Sequence, residues 1–191
     1  FHGCIVPRGW ARTYPNLMSA EGARGQEYNA WSEGNPPEHE TILPFTRLLA
    51  GPMDFTPGIF KIKTTRVHTT LAKQLALYVI IYSPVQMLAD LPENYDNHPA
   101  FKFLLDVPID WDDTKVIDAK IGDYVTIAHK DRNSENWYLG SITDENKRNF
   151  VVDLSFLDAE SKYKAIIYAD ADDACFDSNP EVYKIDSLDV N

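Results

Sequence analysis

The sequence lacks any long hydrophobic run. Its longest one lies within Leu75 to Tyr82, far short of the roughly 18 to 20 apolar residues that a membrane-spanning helix requires. We therefore expect no membrane span. The chain also has no initiator methionine, and Phe1 to Cys4 have neither the basic start nor the apolar core of a secretion signal. We expect the chain to be an excerpt of a longer protein.

Cysteine and positive charge are also scarce. The two cysteines, Cys4 and Cys175, lie near opposite ends, and two such thiols do not make a disulfide framework. Lysine and arginine number 18 against 29 aspartates and glutamates, for a net charge of -11. Because this charge repels nucleic acid and anionic membranes at long range, we expect neutral or cationic ligands and no nucleic-acid partner.

The composition that remains is that of a globular protein. Hydrophobic residues make up 44% of the 191 residues and aromatic residues 12%, a balance unlike that of disordered chains. The length suits one ordinary domain or two small ones.

The first half alternates strand-like and helical patterns. "LMSA" (17–20) and "GPMDF" (51–55) are strand-like, and "ILPFTRLLA" (42–50) between them has apolar residues at helical spacing. The clearest helix follows in "TTLAKQLALYVIIYS", with Thr69 or Thr70 as its cap.

The second half is rich in β-forming residues. The predicted strands are "YVTIAHK" (124–130), "WYLGSIT" (137–143), "FVVDLSFL" (150–157), "YKAIIYAD" (163–170) and "VYKIDSL" (182–188). Polar turns separate them, which predicts an antiparallel β-sandwich. Two prolines, two asparagines and three acidic residues within residues 90–101 mark the boundary between the two halves.

Two or three βα units cannot form a stable sheet alone, because parallel strands normally belong to a barrel or to an open sheet of several strands. A (β/α)8 barrel needs about 250 residues. We therefore predict a chain of the α/β plus all-β class. Residues 1–97 would be the last βα units of a (β/α)8 barrel, and residues 98–191 a C-terminal β-sandwich domain.

One polar motif, "SAEGARGQEYNAW" (19–31), carries two carboxylates, Glu21 and Glu27. By themselves, two glutamates in a glycine-containing loop are typical of solvated surface. Glu21, Gly3 and Asp54 would lie at the C-terminal ends of successive strands, where barrel active sites are built. Asp54 could face such a site, although no specific role can be stated for it.

At the level of whole motifs, the chain resembles the C-terminal part of glycoside hydrolase family 97. The resemblance rests on "FHGCIVPRGWARTYPN", "EGARGQEY", "ILPFTRLLAGPMDFTPGIF", "RVHTTLAKQLALYVIIYSPVQMLADLPENY" and "WYLGSITDEN". It implies a calcium-dependent exo-acting enzyme with a (β/α)8 barrel and a C-terminal β-sandwich. Members of the family are usually periplasmic.

The resemblance also implies roles for individual residues. Glu27 falls on the catalytic acid, Glu21 on a Ca²⁺ ligand and His2 on a histidine that contacts substrate. Arg24, between the two glutamates, could orient a carboxylate or a sugar hydroxyl, which is a hypothesis from its position alone. Tyr28, Trp31 and Phe55 could stack on a sugar face or simply pack.

Gly3 decides the expected mechanism. In the family that the chain resembles, inverting α-glucosidases carry a glutamate directly after the histidine, whereas retaining α-galactosidases carry a glycine. A retaining enzyme needs a nucleophilic carboxylate about 5 Å from its acid, and glycine cannot supply one. The implied nucleophile is an aspartate upstream of Phe1, so we expect this chain alone to be inactive.

The resulting expectation is a retaining α-galactosidase that uses Ca²⁺, takes a galactoside or oligosaccharide as substrate and needs the N-terminal part of the same enzyme. Two alternatives stay open at this point. The chain could be a non-catalytic carbohydrate-binding or interaction module, or it could belong to an inverting α-glucosidase.

Overall fold

The computed structural model describes residues 1–3 and 5–190. Its α-helices are α1 (His39–Ile42), α2 (Leu71–Ile80), α3 (Pro92–Tyr95) and α4 (Phe101–Asp106), and its 3-10 helices are Trp10–Arg12, Gln26–Ala30, Leu43–Phe45 and Arg47–Ala50. The strands are β1 (Trp111–Lys120), β2 (Tyr124–Asp131), β3 (Trp137–Thr143), β4 (Tyr163–Asp170) and β5 (Tyr183–Val190). No helix in this described part is long and apolar enough to cross a bilayer.

Helix α2 is the central element. The Thr70 hydroxyl accepts a hydrogen bond from Lys73 N at 3.2 Å, so Thr70 is the cap, one of the two threonines that the sequence offered. The helix is buried on nearly every side. It can lie directly on β3 because residue 140 is glycine: a Cβ there would come within 2.9 Å of the Val79 Cβ.

Two antiparallel sheets form the second half. In the first, β2 lies between β1 and β3. Its residues are the best buried of the sheet because β2 is the central strand and contacts α2. The second sheet is the hairpin of β4 and β5. Strand β1 has irregularities in its register.

The strand predictions are confirmed for β2, β3, β4 and β5. The predicted strand over residues 150–157 is wrong: this segment has no regular structure, and Val151 within it is fully exposed. Strand β1 was missed because its sequence, WDDTKVIDAK, has a largely exposed, acidic pattern.

The first half differs from the expected βα units. Within the described residues there is no parallel sheet and no barrel; "LMSA" and "GPMDF" meet in a single parallel bridge, Ala20 to Met53. "ILPFTRLLA" forms short helical turns rather than one helix. The fold prediction is thus confirmed for its antiparallel part only, and the boundary at residue 97 stays a prediction.

Two hydrophobic clusters share α2. One joins Leu77 and Ile80 of the helix to the strand-like segment at Met53 and to β2 and β3. The other joins Leu71 and Leu75 to the loop at Phe60 and to the segment around α3. Because both cores use the same helix, the two halves of the chain cannot separate without exposing it.

Asp90 fixes the loop that follows the Met53 segment. Its Oδ2 accepts hydrogen bonds from the backbone N–H groups of Phe60 and Lys61, both at 2.7 Å, while Oδ1 accepts from Leu91 N and the Asn94 side chain. Burial alone would raise the pKa of Asp90, but these hydrogen bonds outweigh burial and lower the pKa below its usual value of 3.8.

We expect Asp90→Asn to lower the free energy of unfolding by about 1–3 kcal/mol at pH 7. The amide NH₂ group of asparagine would face backbone N–H groups that need an acceptor. A lowered pKa in the folded state stabilises the protein above the unfolded-state pKa, and this contribution is lost as the pH falls through the folded-state pKa. The gap between wild type and variant in thermal unfolding should therefore shrink below pH 3.8. The exposed Asp96→Asn is the matched control, and a gap independent of pH would contradict the assignment.

Candidate active site

Three chain segments meet at one edge of the first half and carry the polar site. Backbone hydrogen bonds join them in the order 1–3, 20–22 and 53–55: Glu21 N donates to Phe1 O at 3.0 Å, Gly22 N to Gly3 O at 3.1 Å and Asp54 N to Ala20 O at 3.1 Å. The segments run side by side like neighbouring strands. Side chains at their ends are therefore brought together.

A buried arginine holds two of these segments. The guanidinium of Arg47 donates to the backbone carbonyls of Ala20, Glu21, Gly51 and Pro52. Burial lowers the pKa of Arg47. All these partners are backbone carbonyls. Arg47 therefore fixes the course of the two segments that lead to Glu21 and to Asp54.

His2 lies at the centre of three carboxylates. Its Nδ1 is 3.0 Å from Asp54 Oδ2, and its Nε2 is 2.8 Å from Glu27 Oε2 and 3.8 Å from Glu21 Oε2. Burial alone would lower the pKa of His2, but its hydrogen bonds to the carboxylates of Asp54 and Glu27 and the charges of Glu21 and Glu27 together raise it.

Glu21 is held by backbone donors. Its Oε1 accepts from Gly25 N at 3.1 Å and its Oε2 from Gly3 N at 3.0 Å. Its side chain is 14% exposed. Residue 25 must be small for this contact, since a Cβ there would lie 2.9 Å from Glu21 Oε1. The glycines of the motif thus let the loop close around the carboxylate.

Glu21 could supply one carboxylate ligand to a Ca²⁺ ion. Calcium takes six to eight oxygen ligands, and a carboxylate with one hydrogen bond on each oxygen keeps lone pairs for a metal. However, the described residues contain no group of three or more metal-ligating side chains that could hold an ion. These residues do not form a calcium cage by themselves, so no chemical step is derived through the ion.

Glu27 is the most accessible of the three carboxylates. It lies in the 3-10 helix Gln26–Ala30, which is tied to the neighbouring segment by Gln26 N donating to Phe55 O at 2.8 Å. Its side chain is 50% exposed. Glu27 can therefore reach a ligand while His2 holds one of its oxygens.

The structure thus brings His2, Glu21 and Glu27 together, and the roles assigned to them stay predictions. Arg24 lies apart from them: it is exposed, and its guanidinium lies 5.1 Å from the ring centroid of Tyr28. Its contact with substrate stays a prediction. Phe55 is 2% exposed, so the stacking alternative is wrong for this residue, which packs in the core.

Two residues of the site were not assigned from the sequence. Asp54 carried a usable signal, because it follows a strand-like segment as Glu21 does, but its partner His2 lies 52 residues away. Arg47 carried none, since its role depends on carbonyl groups that meet only in the folded chain.

An open cleft borders the cluster. It has a volume of about 540 Å³ and is lined by Asp54 together with Phe1, Trp10, Tyr14, Met18 and Met87. This volume lies in the range of small-molecule sites.

Comparisons with known proteins identify the family. Residues 110–191 match the family model "Glycosyl-hydrolase 97 C-terminal, oligomerisation". A curated relative, the "Retaining alpha-galactosidase" of Bacteroides thetaiotaomicron, is 37% identical over 182 residues, which cover 88% of this chain and 27% of that protein.

Solved structures agree with that match. A variant of a glycoside hydrolase family 97 enzyme from Pseudoalteromonas sp., in complex with panose, is 47% identical with a TM-score of 0.92, covering 100% of this chain and 31% of the other. The same enzyme in complex with acarbose is 48% identical with a TM-score of 0.92, covering 99% of this chain and 31% of the other.

The chain therefore spans less than a third of the length of each of these relatives. Both the family model and the structural matches point to one assignment. The chain belongs to glycoside hydrolase family 97 and corresponds to the C-terminal part of that family's enzymes.

Proposed function

We propose that the complete protein hydrolyses terminal α-linked galactose with retention of configuration, with Glu27 as its general acid. The single observation that carries this proposal is the pair formed by His2 and Glu27. A half-exposed carboxylate 2.8 Å from an imidazole nitrogen can share a proton and present it to a glycosidic oxygen.

The proposal extends to the surrounding fold. Residues 1–97 would be βα units that complete a (β/α)8 barrel together with other parts of the enzyme. The side-by-side course of segments 1–3, 20–22 and 53–55 supports this proposal. In such a barrel the active site lies at the C-terminal ends of the strands, which is where Glu21 and Asp54 follow their segments.

Retention needs a second carboxylate as nucleophile. Gly3 has no side chain to supply one, and Glu21 is proposed below as a ligand of Ca²⁺. We assign the nucleophile to a segment of the enzyme outside this sequence. His2 and Arg24 are proposed to contact the sugar. A periplasmic location rests on the family resemblance alone.

A second candidate concerns the sugar. The curated relative at 37% identity is named for galactose, whereas the structures at 47% and 48% identity hold panose and acarbose. Because panose consists of α-linked glucose, these matches favour an α-glucosidase. They also favour a hydrolase over a non-catalytic binding module.

The acid role of Glu27 predicts a dependence on the leaving group. In the complete enzyme, Glu27→Gln should reduce kcat/KM about 100-fold or more on galactosides with a poor leaving group, because protonation of the glycosidic oxygen limits their cleavage. Aryl galactosides with activated leaving groups should lose less than about tenfold. The exposed Glu33→Gln is the control, and an equal loss on both substrate classes would remove the acid role.

The stereochemical prediction separates the two candidates. Proton NMR during hydrolysis should show α-galactose forming before its mutarotation, since a double displacement retains configuration. The kcat/KM for an aryl α-galactoside should exceed that for the matching α-glucoside by about tenfold or more, a ratio within reach of a single well-placed hydrogen bond. First appearance of the β-anomer, or a preference for glucoside, would favour an inverting enzyme or an α-glucosidase.

We further propose that Glu21 is one ligand of a Ca²⁺ ion whose other ligands come from the rest of the enzyme. Calcium added after chelation should raise the melting temperature of the complete enzyme, because a ligand that binds only the folded state stabilises it. Glu21→Gln should need at least about ten times more Ca²⁺ for the same shift. If the melting temperature of Glu21→Gln responds to Ca²⁺ as that of wild type and of the Glu33→Gln control does, Glu21 is not a ligand.

A further inference from the structure

The loop that carries Glu27, residues 25–35, is held together by a buried asparagine. We call this segment the Glu27 loop. Asn35 is 3% exposed; its side-chain Nδ2 donates to Gly25 O at 3.0 Å, and its backbone N donates to Asn29 Oδ1 at 2.7 Å. These two hydrogen bonds join Asn35 to residues on either side of Glu27 in the chain. The position of Asn35 therefore sets the position of the turn that presents Glu27.

A second segment, just before α2, fixes the far end of the Glu27 loop. The Arg66 guanidinium donates to Ala30 O, and His68 Nε2 lies 2.8 Å from Glu33 O. Because a carbonyl oxygen only accepts, the hydrogen of this second contact belongs to Nε2. The two segments can approach this closely because residue 34 is glycine: a Cβ there would collide with Arg66 O.

His68 also contacts the antiparallel half of the chain. Its ring packs edge-to-face against that of Phe176, with 6.2 Å between the ring centroids and 85° between the ring planes. Phe176 lies in the loop between β4 and β5. The same loop is tied to the start of α2, since Leu71 N donates to Pro180 O at 2.8 Å. A continuous set of contacts thus leads from the β4–β5 loop through His68 to the Glu27 loop.

We propose that His68 is a positioning residue: it connects the β4–β5 loop to the Glu27 loop, so that the antiparallel half of the chain holds the general acid in place. This inference rests on the proposed function of Glu27. In this role His68 does not contact the substrate and acts through the backbone next to Asn35. The antiparallel half contributes to catalysis in this way without a residue in the site.

A small displacement of the Glu27 loop is enough to affect catalysis. A general acid must lie within about 2.6–3.2 Å of the oxygen that it protonates, and a misplacement of about 1 Å can cost about 100-fold in rate. The chain neighbours of His68, Val67 and Thr69, are 7% and 3% exposed. Because both are packed in the interior, the backbone at His68 is fixed and limits such a displacement.

Glutamine and leucine at residue 68 separate the hydrogen bond from the space that the ring fills. The amide nitrogen of glutamine can donate to Glu33 O in place of the imidazole, whereas leucine cannot. In the complete enzyme, His68→Leu should reduce kcat about tenfold or more on a galactoside with a poor alkyl leaving group and less than about threefold on one with an activated aryl leaving group. KM should change less than about threefold, and His68→Gln should stay within about threefold of wild type on both substrates.

His98 is the matched control. It is also a half-buried histidine beside the β4–β5 hairpin, but its ring neighbours are Phe60 and Tyr183. His98→Leu should therefore keep the wild-type ratio of the two activities even where it lowers the melting temperature. If His98→Leu changes the ratio as much as His68→Leu does, general weakening of the structure accounts for both effects and the proposal is wrong.

Hydrogen exchange tests the same contacts without substrate. Backbone amides within residues 26–35, followed by mass spectrometry, should exchange at least about tenfold faster in His68→Leu than in wild type, because local opening sets the rate. Phe176→Ala should also speed this exchange, and adding it to His68→Leu should cause less than about a twofold further change if Phe176 acts through His68.

Three results would overturn the proposal: unchanged exchange in the Glu27 loop of His68→Leu, equal losses of kcat on both galactosides, or His68→Gln behaving as His68→Leu does. If His68→Leu fails to fold, Phe176→Ala decides by the same two measurements. It should shift the ratio of the two activities and the exchange of the Glu27 loop in the direction given for His68→Leu, and no shift in either contradicts the proposal.

The two proposals fail in different ways. A complete wild-type enzyme without activity on any α-galactoside or α-glucoside contradicts the proposed function. An active wild type whose leaving-group ratio is the same with His68→Leu contradicts only the positioning role.

Discussion

The close contact between helix α2 and Gly140 of β3 is the constraint on which the rest of the structure depends. A side chain at residue 140 would push the helix off the sheet. Because the helix lies directly on the strand, Leu77 and Ile80 bury Met53 and Phe55 in one cluster with residues of β2 and β3. His129 of β2 strengthens the same contact, with its Nε2 3.1 Å from the carbonyl of Val79. The antiparallel sheet therefore supports the segment that ends in Asp54.

Electrostatics then shape the site on that support. Arg47 satisfies carbonyl groups of two segments at once, so their relative position is set by a charged group that is costly to bury without partners. A change at Arg47 would shift Glu21 and Asp54 together.

The family assignment and the geometry answer different questions. Relatives that this chain matches over nearly its whole length show which enzymes it belongs with, but it covers less than a third of each of them. The geometry places Asp54 and Glu27 within hydrogen-bond distance of the two ring nitrogens of His2.

The sequence by itself determined the elements with strong local patterns. Thr70 and the apolar spacing behind it predicted α2, and alternating β-branched residues predicted β2 to β5, because these signals act between near neighbours. The motif around Glu21 and Glu27 also singled out these two carboxylates, whose catalytic and metal-binding roles stay predictions. Tertiary structure alone decided what depends on distant partners: the missed β1, which needs β2 beside it, and the pairing of His2 with Asp54. A hydrogen bond across 52 residues leaves no periodic trace in a sequence, so only the folded chain could show it.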